Sequence, residues 1–560
     1  MSQQVPVIIL KEGTSRSRGK EAQRSNITAA KVLAETVRST LGPRGMDKMM
    51  VGTIGDVVIT NDGATIMKEM DVQNPAAKML VEVSKTQDSE VGDGTTSAVV
   101  LAGDLLSGAE TLLDKNVHPN IIIDGYRAAA EQAQKILDEI SLPIKPSDLE
   151  QLKLVALTSL NTKGIFGSRE HFADLAVEAV EQVMEKTETG VKADIDLVKV
   201  LKKHGRSLAE SELVNGIVID KEVAHTQMPK RVAGARIALL DAKLEIDKPE
   251  TTAEIRVSKP EELEMFLNEE ERMLKEMAEE VAATGANVLF TQKGADDEVL
   301  GVLAKRGILA LKNVSSKDME KLAKATGGTI FGTLKELSKT GLGEAKLVEE
   351  VKIGDSKHVY VREAKNPKAV TIMIRGGSDH VIDEAERALH DALCVVRNAV
   401  EDGKVVAGGG APEAELSRRI DAYSAKAKGR EQLAIKAFAE ALESIPTAIA
   451  QNAGLDPIDI MVELREKHSS PANKWYGVNV KEGHAGDMWK LNVIEPLRVK
   501  KQVIKSAVEA VNMLLRVDDV IASKSPAPAP SKGGGGMPPG MGGMGGMGGM
   551  GGMPPGMMGM

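Results

Sequence analysis

The chain has 560 residues, 42% hydrophobic and 27% charged, a globular composition long enough for about three to four domains. A net charge of −9, with Lys and Arg spread along the chain and only 2% aromatic residues, argues against a nucleic-acid partner. A single cysteine, Cys394, excludes an intramolecular disulfide, and a polar N-terminus with no apolar run near the ~20 residues that span a bilayer points to a soluble cytoplasmic chain.

Thr28 to Leu41 predicts a helix, because Ala29, Leu33 and Val37 recur at helical spacing and Gly42-Pro43 stops it. TLGPRGMDKMM, Thr40 to Met50, is then a turn carrying Arg44, Asp47 and Lys48. Val57 to Thr60 reads as a short strand entering the tight-turn signal Asn61-Asp62-Gly63, with a helix starting between Ala64 and Met70.

GDGTTSAVVLAG, Gly92 to Gly103, reads as a loop feeding a helix. Gly92 and Gly94 flank Asp93 and permit positive φ; Thr95, Thr96 and Ser97 favour a helix start. Such a start offers unpaired N–H groups and partial positive charge, which suit a phosphate. A carboxylate beside it could hold Mg²⁺, a hard cation with oxygen ligands; the alternative is an ordinary capped loop.

Helices are expected over Pro75–Ser89, Ala98–Leu113, Ile121–Ile140 and Ser147–Val183. The last is interrupted at Asn161 to Gly164, where Lys163 reads as a solvated turn residue. From Gly216, short apolar runs at Ile217–Ile219, Ile237–Leu240, Val288–Phe290 and Ile308–Leu311 alternate with helical patterns, as in an α/β or α+β domain. A charged insert runs from about Lys243 to Ala283. Its second half, from Pro260, is an amphipathic helix; Leu244 to Ser258 is either an extended arm or a long solvated loop.

Val370 to Ile374 is a strand followed by a helix to about Val400. Val381, Ala385, Ala388, Ala392 and Val395 form its apolar stripe, and Glu384, Arg387, Asp391 and Asn398 its polar face, so periodicity makes Asp391 a solvated acid. In VVAGGGAPE, Gly408, Gly409 and Gly410 imply close backbone approach, either to a ligand or in a tight helix–strand contact. A helix over Ala434–Ala450, kinked or ended by Pro446, a hairpin over Tyr476–Asp487 and a last helix from Lys500 to Ala522 follow. Beyond Ser523 come a Pro-Ala linker and a Gly-Met tail, expected to be disordered. There is no Walker-type phosphate loop, H-E-x-x-H, Cys-x-x-Cys or G-x-S-x-G, and the G-x-G-x-x-G match at Gly540 lies in low-complexity sequence.

TLGPRGMDKMM, ITNDGATI, VGDGTTSAVVLAG, IRGGSDHVIDEAERALHDAL, VVAGGGAPE and VNV…GDMW…VIEPLRVK together resemble the group II chaperonins, archaeal members most nearly, in the same order from about Ser25 to Ala522. The resemblance implies a multidomain α+β/α/β chaperonin fold. A mostly helical equatorial ATPase domain would combine residues 1–148 and 403–525. A small intermediate hinge domain would combine 149–216 and 368–402. An α/β apical domain, 217–367, would bind substrate and carry a helical protrusion lid at about 243–283; 526–560 would be the tail.

The same resemblance implies the site. Asp93 resembles the Mg²⁺ ligand, and Gly94, Thr95, Thr96 and Ser97 the phosphate cradle. Thr40, Leu41, Gly42 and Pro43 resemble the turn against the nucleotide, with Gly408, Gly409 and Gly410 also against it. Asn479, Val480 and Glu495 would border base and ribose. Asp62 and Asp391 resemble the acids that orient the attacking water, and Lys163 a γ-phosphate sensor. The implied cofactors are ATP and Mg²⁺, with K⁺ as an optional further ion. The implied partners are like subunits in a homo- or hetero-oligomeric stacked double ring and non-native polypeptides, with no nucleic acid, membrane or separate co-chaperonin lid. The implied activity is ATP hydrolysis coupled to protein folding; the alternative is a chaperonin-fold scaffold or holdase with little such coupling.

Overall fold

The structure is a computed structural model that describes residues 14–523 apart from 53–54, 166, 189, 247–259, 354–355 and 365–368. The expected Gly-Met tail and residues 247–258 of the expected arm therefore lie outside the described residues. The two ends of the described chain form a ribbon of their own, Thr14–Arg18 paired with Asp519–Ser523. The last helix is thus shorter than its apolar spacing predicts. It spans Leu497–Leu515, and the residues after Val517 are extended. Leu514 and Leu515 are its last buried positions, and strand pairing then satisfies the backbone.

Between these ends the chain builds apolar clusters in sequence and then retraces them. The first gathers the helices Gly19–Arg38, Pro75–Val91, Thr95–Asp114, Pro119–Ile140, Glu431–Leu442 and Leu497–Leu515. Thr95–Asp114 is its centre, with Val99, Val100, Leu105 and Leu106 fully buried. Among the described residues it is the one helix long and apolar enough to cross a membrane, and here its apolar surface is core. Small residues let the helices close in. A Cβ on Gly103 would fall 2.4 Å from the Ala34 Cβ, and one on Gly125 2.5 Å from the Ala434 Cβ. Tyr126 meets Phe438 edge-on at 5.9 Å and donates its hydroxyl to the Leu105 carbonyl at 2.8 Å.

The second cluster packs Leu149–Leu160, Arg169–Val183 and the long helix Asp379–Asp402 against a three-stranded sheet. In that sheet Val370–Gly376 runs parallel to Val198–His204 and antiparallel to Glu212–Val214. Beyond it lies a mixed seven-stranded sheet. Its strands run in the order Leu309–Leu311, Val288–Thr291, Arg231–Leu240, Gly343–Ile353, Ser356–Ala364 and Gly216–Ile219, and Ile330–Phe331 also pairs with Arg231–Leu240. Strand alternation feeds two cores: Ile237 and Leu239 enter one, Ala238 and Leu240 the other. The helix Pro260–Ala283 covers the second through Leu274, Ala278 and Val281, while Met265, Phe266 and Leu267 nearer its start are exposed.

Near Pro446 the expected single helix is two, Glu431–Leu442 and Ser444–Asn452, broken at Glu443. Pro446 sits in the first turn of the second, where its missing N–H costs nothing.

Candidate functional site

Where the first and second clusters meet, a cavity of about 530 Å³ is lined by segments from both ends of the chain. Thr40, Leu41, Gly42 and Pro43 form one wall. The preceding helix stops at Arg38; Thr40 Oγ1 donates to the Val37 carbonyl at 2.8 Å, and Gly42 takes φ +87°. Asn452 locks this turn, donating to the carbonyls of Arg38 at 2.9 Å and Leu41 at 2.8 Å.

Asp93, Gly94, Thr95, Thr96 and Ser97 form the next wall. Gly92 and Gly94 are both left-handed, so Asp93 sits on a sharp loop whose carbonyl accepts from Gln87 Nε2 at 2.8 Å. No side chain caps the helix that starts at Thr95, so its first N–H groups, which lack intrahelical partners, border the cavity. A Cβ on Gly63 would fall 2.5 Å from Thr96 Oγ1 and 2.8 Å from its nitrogen, so that backbone packs hard against the helix start. Across the loop, a Cβ on Gly92 would strike the Cys394 Cβ at 2.2 Å, and burial pushes the Cys394 thiol up to about 12.

Lys163 also borders the cavity, but it is buried rather than a solvated turn residue. Its Nζ lies 2.5 Å from Asp391 Oδ2 and 3.8 Å from Asp62 Oδ1. Asp391 is likewise only 5% exposed, which corrects the solvated acid that helical periodicity predicts. The polar face of Asp379–Asp402 is turned inward, and Asn398, fully buried, donates to the Val91 carbonyl at 2.8 Å. Asp62 caps the helix Gly63–Glu69, accepting from Thr65 N at 3.0 Å and Thr65 Oγ1 at 2.7 Å. Asn61 Nδ2 donates to the Thr162 carbonyl at 2.5 Å and Thr60 Oγ1 to Glu384 at 3.0 Å, tying this turn to the second cluster. Asp62 and Asp391 do not line the cavity; they stand behind Lys163.

The electrostatics separate the two acids. Burial pushes the Asp391 carboxyl well above its ordinary value, with Asp62 and Asp93 adding to the rise and Lys163 opposing it. Burial also works against charge on Asp62, but Lys163 and the bonds from Thr65 and Ala64 outweigh it and hold that carboxyl low. Burial disfavours the Lys163 ammonium, and the three surrounding carboxylates more than compensate.

Gly409 and Gly410 complete the wall, at φ +64° and +79°. Gly409 accepts from Val478 N at 2.9 Å, and a Cβ on Gly410 would meet the Pro446 Cβ at 2.9 Å. Of the two alternatives read from the triple glycine, the tight backbone contact is present, and Gly409 and Gly410 also border the cavity. Gly408 is not on the lining; a Cβ there would fall 2.5 Å from Glu495 Oε1, so it makes room for that carboxylate. Asn479, Val480 and Glu495 also line the cavity. The Asn479 amide braces its own turn, accepting from Lys481 N at 3.1 Å and donating to Glu482 at 2.9 Å.

Sequence reasoning missed Lys500, which lines the cavity and bridges Glu495 Oε2 at 2.7 Å and Glu413 Oε1 at 3.0 Å. Its signal was a lysine in the first turn of a helix, where the dipole disfavours cations.

Among the described residues no three His, Cys, Asp or Glu side chains cluster as a metal site. Beside the free helix N–H groups the lining instead offers the Asp93 carboxylate, a donor set that fits a Mg²⁺ sharing its shell with substrate phosphates.

A model of the TCP-1/cpn60 chaperonin family matches residues 33–525. A thermosome subunit of Pyrococcus abyssi is 55% identical over 533 residues, 95% of this chain and 97% of that one. Thermosome subunit alpha of Archaeoglobus fulgidus is 56% identical over 522 residues, 93% and 96% of the two chains. The solved open-state monomer of a group II chaperonin from Methanococcoides burtonii aligns with TM-score 0.60 and 46% identity, over 76% of this chain and all of that one.

Proposed function

This chain belongs to the TCP-1/cpn60 chaperonin family, as an archaeal group II chaperonin, and from that premise we propose that it binds and hydrolyses ATP in the cavity to drive protein folding. The observation that carries the site assignment is the buried Asp391–Lys163–Asp62 group behind an uncapped helix start.

Phosphoryl transfer asks the protein mostly for positioning and charge neutralisation. The N–H groups of Thr95, Thr96 and Ser97 receive phosphate oxygens, and the Lys163 ammonium faces the terminal phosphate as a fixed positive charge. Asp391, the acid with raised proton affinity, is carried to the cavity by closure of its helix and takes the proton of the attacking water as the water oxygen bonds to the terminal phosphorus and the phosphorus–oxygen bond to ADP breaks, releasing ADP and phosphate. Asp62, held ionised, orients that water. Asp93 would hold Mg²⁺, which supplies neutralisation of the phosphate charge when bound. Asp391 comes from the helix Asp379–Asp402, so hydrolysis depends on how that helix sits over the cavity.

We further assign the equatorial, intermediate and apical divisions at 148/149, 216/217, 367/368 and 402/403. Subunits assemble as stacked rings in the cytoplasm and enclose non-native polypeptides. A pure scaffold is disfavoured, since burying Asp391, Lys163 and Asp62 together beside the cavity is a poor source of stability by itself. In Asp391→Ala, ATP binding should persist while steady-state phosphate release falls by at least about a hundredfold; normal turnover would refute the assignment.

A further inference from the structure

Resting on the reading of Asp62 as the acid that orients the attacking water, we infer that Thr60 and Glu384 are positioning residues. They aim Asp62 from the same helix that carries Asp391, so that the two acids are set for hydrolysis together.

The arrangement is a relay of hydrogen bonds between two parts of the chain. Thr60 ends the strand Val57–Thr60 and is 1% exposed. Its Oγ1 accepts from the Asp62 N–H at 3.1 Å and donates to Glu384 Oε2 at 3.0 Å. Glu384 belongs to Asp379–Asp402, where Arg387 donates to the same oxygen through Nη2 at 2.9 Å and Nε at 3.2 Å. The Lys163 loop packs against this point: a Cβ on Gly164 would lie 3.6 Å from Glu384 Cγ, in ordinary contact. Glu384 therefore sits where the Asp62 turn, the Lys163 loop and the Asp391 helix meet.

Helix geometry makes the relay matter to both acids. Glu384 lies about two turns before Asp391 on one face, roughly 10 Å along the axis. A rigid helix that sets Glu384 against Thr60 sets Asp391 beside Lys163 in the same movement. The bonds that Asp62 accepts from Thr65 and Ala64 hold its carboxylate on its own turn; the relay holds that turn to the helix. As a stabilising device the relay is poor. Among the described residues Glu384 Oε1 is buried and accepts no hydrogen bond, and a buried acceptor left unsatisfied costs stability. What the carboxylate enforces is alignment: Asp62 is aimed when the helix is seated.

Single-turnover phosphate release from Mg²⁺-ATP by the assembled full chain tests this, beside equilibrium binding of the slowly hydrolysed analogue adenylyl imidodiphosphate. Thr60→Val keeps the shape of the side chain and removes the hydroxyl. It should slow hydrolysis about tenfold, the rate equivalent of one hydrogen bond, and leave analogue affinity within about twofold. Thr60→Ser should restore most of the rate. The decisive arm is the Asp62→Asn background, where a relay acting through Asp62 has no carboxylate left to aim. There Thr60→Val should slow the step by less than about twofold. An equal loss in both backgrounds, an unchanged rate in the protein that keeps Asp62, or affinity lost in step with rate overturns the proposal. Should Thr60→Val fail to assemble, Glu384→Met takes its place: a loss confined to the protein that keeps Asp62 supports the relay, and an equal loss or none refutes it. A wild type that releases no phosphate, or an Asp62→Asn protein as fast as the wild type, overturns the hydrolysis reading itself, a different failure.

Discussion

At the scale of single residues, burial changes what a charged side chain does. Glu415 is a second example, away from the cavity. Its carboxylate is fully buried and accepts from Arg418 at 2.8 Å, Arg419 at 2.6 Å and His468 Nδ1 at 2.8 Å. Burial alone would raise its pKa, but these bonds dominate and hold it at about 2. A carboxyl depressed in the folded state stabilises fully above its ordinary value near 4.5, and that contribution fades as pH falls toward 2. Glu415→Gln should therefore melt below the wild type at pH 6, with the gap closing as pH drops toward 2. A gap constant with pH would show that Glu415 acts by shape alone. The residue scale is also where sequence reading was weakest. Asp93 to Ser97 were legible because glycine, acid and hydroxyl residues name a helix start locally. Lys163, Asp391 and Lys500 were not, because periodicity says which face of a helix is polar and never what that face meets.

Elements were read more fully, since their signals are local. The strand Val57–Thr60, the helix Pro260–Ala283 and the hairpin Tyr476–Asp487 lie where turn residues and periodicity put them. Errors gathered at ends: Gly19–Arg38 starts well before Thr28, and the chain after Val517 is extended because it leaves the apolar stripe. The packing between elements was hidden in residues without side chains. Gly103 lies inside a helix, where glycine costs about 1 kcal/mol relative to alanine, and its use is contact with Ala34 on the neighbouring helix. Gly103→Val should push those helices apart and cost about 1–3 kcal/mol by overpacking. Thermal unfolding of the full chain checks this, and an unchanged midpoint would mean the two helices are not in fixed contact.

For the whole molecule, the decisive fact is topological. The chain leaves the first apolar cluster, passes through the second to the seven-stranded sheet, and returns by the same route, so Asp93 and Gly409 share a wall although hundreds of positions separate them. No local pattern could have shown that convergence; the family resemblance supplied it. Deleting Lys243 to Ser258 from the proposed lid should leave ATP hydrolysis in place and abolish enclosure, seen as protease sensitivity of a captured substrate; continued protection would remove the lid assignment. The contact between Gly92 and Cys394 has a practical corollary. The chain's only sulfhydryl is sealed at the seam between the Asp93 loop and the helix Asp379–Asp402, with its reactive thiolate form suppressed. An alkylating reagent should reach it only when the helix lifts, so the rate of labelling becomes a stopwatch for opening. Mg²⁺ and a slowly hydrolysed ATP analogue should slow that clock, and labelling at the same speed in both states would mean that the seam never parts.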